Sequence, residues 1–535
     1  MKSIEIPQGP ERGRRYRAFE MFPGLLSWST LLFPVVLGIL NPNLAVFFIL
    51  AYLMLWFAKM IGLNLRAVQG YRRLEQHKRL PWSQMLAELG AGKPVQPDRH
   101  IPTWHYGNIR RLQEEPTPIP AAKIVHAIIV AAYNETREVI EPTIKSVIDS
   151  DYDMHDVILV LAYEGRDGAQ SEQAVLDLTR EYGEEFKHAM AVKHPLTPGE
   201  VRGKGGNITY AGRELQKYIE REGIDPLRVI VTTLDSDNRP HAKYLAALSY
   251  VYAASPDPLH VSYQPVPMYT NNIWDAPAPM RVIATGNTFW NIVLSLRHHM
   301  IRNFSSHAQS LQSLIDTDFW STRTIVEDGH QFWRTYFRYD GDHYVYPIYL
   351  PIYQDAVLSS TLRKTVKAQF IQLRRWAWGS TDIAFVAEKG FFTPNEVPKL
   401  DLVFKFMRLV EGHWSWATTP ILLAFSAFIP ALLNPDNYAA TKLPLIASRI
   451  QTLALAGILI TFFISLKTLP PKPARYKRHR SVFMVLQWVL LPVTTLTFNC
   501  LAALNAQTRL LFGRYLDNFD VTDKAVVTED KKRIM

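Results

Sequence analysis

The chain has 535 residues, a net charge of +10 and a single cysteine, Cys500, within an apolar run. One cysteine excludes an intramolecular disulfide and a cysteine-based zinc site. The positive charge does not point to nucleic acid, because much of it flanks apolar segments: Arg12, Arg14, Arg15 and Arg17 before the first, residues 472–480 between the last two. That placement follows the positive-inside rule.

In chain order, residues 1–23 form a basic, cytoplasmic N-terminal segment. Runs 24–40 and 44–65 are each near the roughly 20 apolar residues that cross a bilayer. Asn41-Pro42-Asn43 between them reads as a tight turn. No small-residue cleavage pattern follows the first run, so a transmembrane hairpin over 24–65 is expected rather than a cleaved signal peptide. Arg66, Arg72 and Arg73 then place both hairpin ends in the cytoplasm. Residues 66–122 are expected to form a linker with an amphipathic segment, extended where Pro94, Pro97, Pro102, Pro116, Pro118 and Pro120 punctuate it.

The centre, 123–399, alternates short apolar runs with helical periodicity. Strands are expected over 124–132, 157–162, 189–193 and 229–234, with helices over 138–148, 172–182, 208–221 and 243–253. This predicts an α/β domain with a mostly parallel sheet, whose ligands bind beyond the strands' carboxyl ends. Glu135, Glu164 and Asp235 each fall just after a predicted strand.

Beyond the centre, 400–413 suits a helix lying on the membrane surface, although a soluble helix has the same pattern. Spans are expected over 414–433, 443–466 and 482–504 within a membrane region 414–512, followed by a charged tail, 513–535. The basic loop 472–480 is expected in the cytoplasm, which puts 434–442 outside. A single last crossing carries the tail outside, whereas a kink at Pro492 returns it; Arg509, Arg514 and Lys531-Lys532-Arg533 favour the inside.

Asp235-Ser236-Asp237 closes a predicted strand. Carboxylates two apart there can approach one Mg²⁺ or Mn²⁺ ion and a diphosphate; an acidic turn is the plainer alternative. Glu327-Asp328 precedes a helical segment. Asp328 offers a general base to a sugar hydroxyl, although a helix N-terminus also favours acidic residues. Gln372, Arg375 and Trp376 share an amphipathic stretch where an arginine suits phosphate and a tryptophan a sugar ring; lipid-headgroup anchoring uses the same residues. Arg202-Gly-Lys204-Gly-Gly-Asn207 is a basic, glycine-rich loop before a helix, fit for phosphate but without P-loop spacing.

In this order the motifs resemble those of membrane-integrated family-2 glycosyltransferases, the cellulose synthase-like group of polysaccharide synthases. The resemblance runs from about residue 124 to 382 and extends to the flanking apolar segments. It implies a GT-A type nucleotide-sugar fold, an inverting transfer, a divalent metal and a UDP- or GDP-sugar donor. By that match Tyr133, Asn134 and Glu135 lie at the nucleotide, Lys204 near the phosphates, and Asp235 and Asp237 at the diphosphate and metal. Asp328 corresponds to the base. Gln372, Arg375 and Trp376 fit the QxxRW motif, which holds donor diphosphate and the acceptor end.

Two segments depart from the pattern. Glu164, in Leu161-Ala-Tyr-Glu-Gly-Arg166, stands where an aspartate is usual and is assigned to the nucleotide. Phe304-Ser-Ser-His-Ala-Gln309 replaces the small-residue acceptor motif, so Ser305, Ser306 and His307 are assigned to the acceptor. The expected protein is a bacterial-type plasma-membrane enzyme with a cytoplasmic catalytic domain that elongates a glycan. Single-sugar transfer to a lipid or lipid-linked acceptor is the enzymatic alternative. An inert sugar-binding membrane scaffold is the alternative of another class.

Overall fold

The structure is a computed structural model that describes residues 4–94, 101–166, 168–195, 197–477 and 479–516. Pro97 and Lys531-Lys532-Arg533 lie outside the described residues. The centre holds one eight-stranded sheet, numbered along the chain. Its strands are β1 Val125–Ala132, β2 Val157–Glu164, β3 His188–His194, β4 Val229–Asp235, β5 Arg239–Pro240, β6 Val261–Tyr269, β7 Ala308–Ser310 and β8 Tyr344–Gln354. Their spatial order is β3-β2-β1-β4-β7-β6-β8-β5.

The sheet is mixed, which corrects the expectation of a mostly parallel one. β1 to β4 pair parallel, but β7 pairs antiparallel with both β4 and β6, and β5 antiparallel with β8. Two successive reversals through β7 bring β6 back into the direction of β4, and β8 runs parallel to β6. The carboxyl ends of β1, β2, β4, β6 and β8 therefore share one sheet edge.

Burial explains why the first strands form where they do. Every residue of β1 except Ala131 is buried, and β2 is buried throughout. Runs such as Val157-Ile-Leu-Val160 are therefore covered on both faces, each large side chain contributing about 1.5–3 kcal/mol on burial. Helices Lys204–Arg221 and Tyr244–Ala254 belong to the opposite cores: Ile208, Leu215 and Ile219 pack with Ile129 and Val231, while Leu245 and Leu248 pack with Ile128 and Val130.

Two other expectations change. The stretch expected as an extended linker contains helix Thr103–Glu114. Its buried His105 joins Glu88 and Tyr250, at 2.9 Å each. Residues 400–413 are not a separate surface helix but the first half of helix Lys399–Phe425. The span expected over 414–433 is interrupted after Phe425 and resumes as Phe428–Leu433. Pro430 has no N–H for the Ser426 carbonyl, which instead accepts from Ile429.

Among the described residues four helices are long and apolar enough to cross a membrane: Arg14–Leu40, Pro42–Arg79, Tyr438–Thr468 and the helical run His479–Leu511. The first and last pack together. Arg17 donates to the Leu510 and Leu511 carbonyls at 2.7 Å each, supplying partners and positive charge at a helix C-terminus.

Helix Pro42–Arg79 extends beyond its apolar half to touch the central domain. Gly70 sits against Ile292 of helix Ala278–Ser295, where an added Cβ would lie 2.6 Å from the Ile292 carbonyl oxygen. Gly70→Val is therefore expected to lose about 1–3 kcal/mol through overpacking. Gly107→Ala should act in the opposite direction, since a Cβ there meets nothing and alanine favours the helix by about 1 kcal/mol. Thermal unfolding of both variants in one detergent checks the sign.

Candidate active site

One cavity of about 1540 Å³ opens at the shared sheet edge. At the ends of β1 and β2 it is lined by Tyr133, Glu135 and Glu164, at the end of β4 by Asp235 and Asp237. Lys204, Ser305 and Asp328 also line it, and Gln372, Arg375 and Trp376 line it from helix Leu362–Ala377. The last three sit at i, i+3 and i+4 and share a helix face. Asn134, Ser306 and His307 do not line the cavity.

Each placement has a local cause. Glu135 accepts from the Tyr133 backbone N–H and, at 2.8 Å, from Ser236 Oγ, tying the end of β1 to the turn after β4. Glu164 pairs with Arg166, whose guanidinium lies 4.2 Å from the centre of the Tyr133 ring. Asn134 adopts φ 56°, a left-handed conformation that asparagine tolerates, and its Oδ1 accepts from Gly168 N at 2.8 Å. It holds the neighbouring loop.

The segment assigned to the acceptor is divided by the fold. Ser306 is buried and its Oγ accepts from Asn238 Nδ2 at 2.5 Å. His307 is buried and accepts at Nε2 from Trp320 Nε1 at 3.0 Å. Burial, then the nearby Lys204 charge, lowers its pKa to about 3. Neither lines the cavity, and Ser306 Oγ and His307 Nε2 are engaged inside the domain.

Ser305 faces the cavity and links its acidic groups. Its backbone N–H donates to Asp328 Oδ2 at 2.6 Å, and its Oγ donates to Asp235 Oδ2 at 3.5 Å. Gln354 Nε2 in turn donates to Ser305 Oγ at 2.6 Å. Asp328 stands at the start of helix Glu327–Arg338, and its Oδ1 accepts from Gly329 N at 2.7 Å. Burial raises its pKa; Lys204 and the two backbone N–H groups oppose that rise. Its neighbour Glu327 is 4% exposed, and burial followed by the Asp328 charge raises its pKa as well.

Lys204 is the counter-charge. Its Nζ lies 2.7 Å from Asp235 Oδ1, with side-chain exposures of 11% and 37%. Desolvation works against its ammonium, but Asp235, Glu327 and Asp328 outweigh that and its pKa is raised. Gly205 makes this placement possible. A Cβ there would collide with the Ser321 carbonyl oxygen and lie 3.2 Å from Glu327 Cβ.

Asp235 and Asp237 line the cavity with Asp355, whose backbone N–H donates to Asp237 Oδ2 at 3.0 Å. Carboxylate oxygens are the donors that Mg²⁺ and Mn²⁺ prefer, but among the described residues these three do not bring their oxygens within 4.8 Å of one another as one set. Tyr269 lies among these charges: its phenol is raised by burial, then by Asp235, Asp237 and Asp328. Its ring centre is 6.1 Å from that of Trp376. A separate group, Asp257, His260 and Asp342, has ligand atoms within 4.8 Å of one another but does not line the cavity.

Tyr269, Gln354 and Asp355 were missed from sequence because they follow from β6 and β8. Those strands carry Pro265, Pro267, Pro347 and Pro351, residues that count against interior strands. The aromatic, β-branched alternation of Tyr344-Val-Tyr-Pro-Ile-Tyr349 was the available signal.

No protein-family model matches the chain, and no curated protein matches it. A solved mannosyltransferase from Pyrobaculum calidifontis, in complex with GDP-Man and Mn²⁺, aligns at 15% identity and TM-score 0.43, covering 85% of this chain and 100% of its own. S. aureus TarS 1-349 in complex with UDP-GlcNAc aligns at 10% identity and TM-score 0.36, covering 75% of this chain and 95% of its own.

The raised carboxyl of Glu327 has a thermodynamic consequence. A folded-state pKa above the unfolded value contributes stability that is full below the unfolded pKa and lost as pH rises through the folded one. Glu327→Gln removes that loss. Its unfolding midpoint is expected to gain on wild type as pH rises beyond the ordinary glutamate range, with a constant difference below it. Thermal melts across pH check this.

Proposed function

We propose that the chain is a membrane-embedded inverting glycosyltransferase of GT-A type that uses a nucleotide-diphospho-sugar. The observation that carries this reading is the Ser305 bridge. One residue holds Asp328 by its backbone N–H and contacts Asp235 by its hydroxyl, in a cavity that Lys204 and Arg375 also line. The proposed base and the proposed diphosphate-binding group thereby adjoin the same residue, as a displacement between two bound reactants requires.

In the proposed reaction an acceptor hydroxyl gives its proton to the Asp328 carboxylate. Its oxygen forms a bond to the anomeric carbon as the bond to the diphosphate oxygen breaks, and the electron pair leaves on the nucleoside diphosphate. Attack opposite the leaving group inverts the anomeric centre. Lys204 and Arg375 offer positive charge to the departing phosphates. Trp376 and Tyr269 offer flat faces to sugar rings. Asp235 and Asp237, with Asp355, would hold Mg²⁺ or Mn²⁺, which supplies further positive charge to the diphosphate when bound.

The raised pKa of Asp328 supports a base that is less acidic than a surface aspartate. Transfer should therefore fall as pH drops through that raised value, so the acid limb lies above the usual aspartate range. Asp328→Asn is expected to reduce transfer at least about a hundredfold while nucleotide-sugar binding persists. Unchanged turnover would remove Asp328 from this role. Mass analysis of products from purified protein in lipid distinguishes glycan elongation from single transfer, since only the former gives a ladder. Chelation of divalent cations tests the aspartate pair independently.

A further inference from the structure

The same cavity reaches far beyond the carboxylates. Toward the apolar helices it is lined by Leu55, Met60 and Leu63 of helix Pro42–Arg79, and by Phe404 and Met407 of helix Lys399–Phe425. Leu55, Phe404 and Met407 are exposed at 57%, 64% and 59%. Three arginines from three separate elements, Arg66, Arg297 and Arg408, line the same cavity.

Arg66 and Arg408 are exposed and Arg297 is half-buried. Among the described residues none of the three has a carboxylate within ion-pair distance. Glu411 lines the same cavity but pairs with Lys59 at 2.5 Å. Arg297 Nε is buried without a hydrogen-bond partner. Burial lowers the Arg297 pKa, the charges of Arg66 and Arg408 lower it further, and Glu411 opposes them, so both other arginines are close enough to act on Arg297. The positive-inside tendency accounts for arginines at the ends of membrane helices. It does not account for three of them converging on the cavity that holds Asp328. Like charges gathered around an unsatisfied donor fit an anion with several acceptor oxygens.

We propose that Arg66, Arg297 and Arg408 hold the phosphate of a membrane-lipid acceptor, whose hydrocarbon chain lies against Leu55, Phe404 and Met407. The argument for a lipid over a free anion is continuity: the arginines border exposed apolar side chains on two of their three elements. The proposal rests on the glycosyl-transfer reading and names the acceptor class of that site.

The test uses the full chain in phosphatidylcholine nanodiscs without nucleotide sugar. A long-chain prenyl monophosphate should bind at least about tenfold tighter than the corresponding alcohol. Inorganic phosphate and phosphatidylglycerol should fail to displace it. The double variant Arg66→Gln, Arg408→Gln should lose at least about tenfold in affinity, while Arg66→Lys, Arg408→Lys keeps most of it. Equal binding of the alcohol, or undiminished binding by the glutamine variant, overturns the proposal. So does displacement by inorganic phosphate, which would make this a free-anion site, or by phosphatidylglycerol, which would make it general headgroup anchoring. Nucleotide-sugar binding is measured in the same discs. It should be unchanged in both double variants, and its absence from wild type would overturn the transfer reading instead.

Discussion

The site depends on one ammonium group. Asp235, Glu327 and Asp328 all act electrostatically on Lys204, whose Nζ is hydrogen-bonded to Asp235. The Glu327 and Asp328 carboxyls would otherwise take up protons more readily, because burial and nearby like charge both disfavour ionisation. Lys204 limits that effect on Asp328 and Glu327 while burial still raises both. The requirement extends into the backbone. Lys204 can begin its helix there only because Gly205 passes under the Ser321 carbonyl and beside Glu327. The two helices bearing Lys204 and Asp328 are thus locked start to start.

Ser305 adds geometric precision to that charge balance. Its φ of 52° is uncommon for a residue with a side chain. The conformation places N–H toward Asp328 and Oγ toward Asp235, while Gln354 secures the hydroxyl from β8. Backbone strain of this kind persists where surrounding contacts over-determine it. Here those contacts come from the end of β4, the end of β8 and the start of helix Glu327–Arg338. The serine assigned to an acceptor from its place in the motif is better described as a positioning residue for the proposed base.

What was legible in the sequence follows burial and polarity. Runs such as Val157-Ile-Leu-Val and Val229-Ile-Val show their strands because both faces are covered, and Glu135, Glu164 and Asp235 were found by their place after such runs. β7 was not legible: Ala308-Gln-Ser310 is three residues of ordinary polarity, made a strand by the neighbours it joins. Missing it meant missing the antiparallel junction. The prolines of β6 and β8 then hid Tyr269 and Asp355. At Ser306 and His307 the limit was different, because adjacent positions in a buried turn diverge by contacts with Asn238 and Trp320 that only tertiary structure supplies.

The cavity is electrically polarised, and that bears on how two anionic ligands could use it. Its sheet end carries Asp235, Asp237, Asp328 and Asp355 against Lys204 and Arg375; its other end carries Arg66, Arg297 and Arg408 against a Glu411 already engaged by Lys59. On the proposed reading, a phosphate entering between the apolar helices meets net positive charge first and finds carboxylates beyond it. The arginines attract it and the carboxylates resist its advance, so it stops at the boundary. A neutral sugar hydroxyl feels no such barrier and can continue to Asp328. The donor diphosphate needs Lys204, Arg375 and a divalent cation to occupy the acidic end. On that reading the same carboxylates would serve both the donor's metal and the exclusion of the acceptor's phosphate from the donor's place.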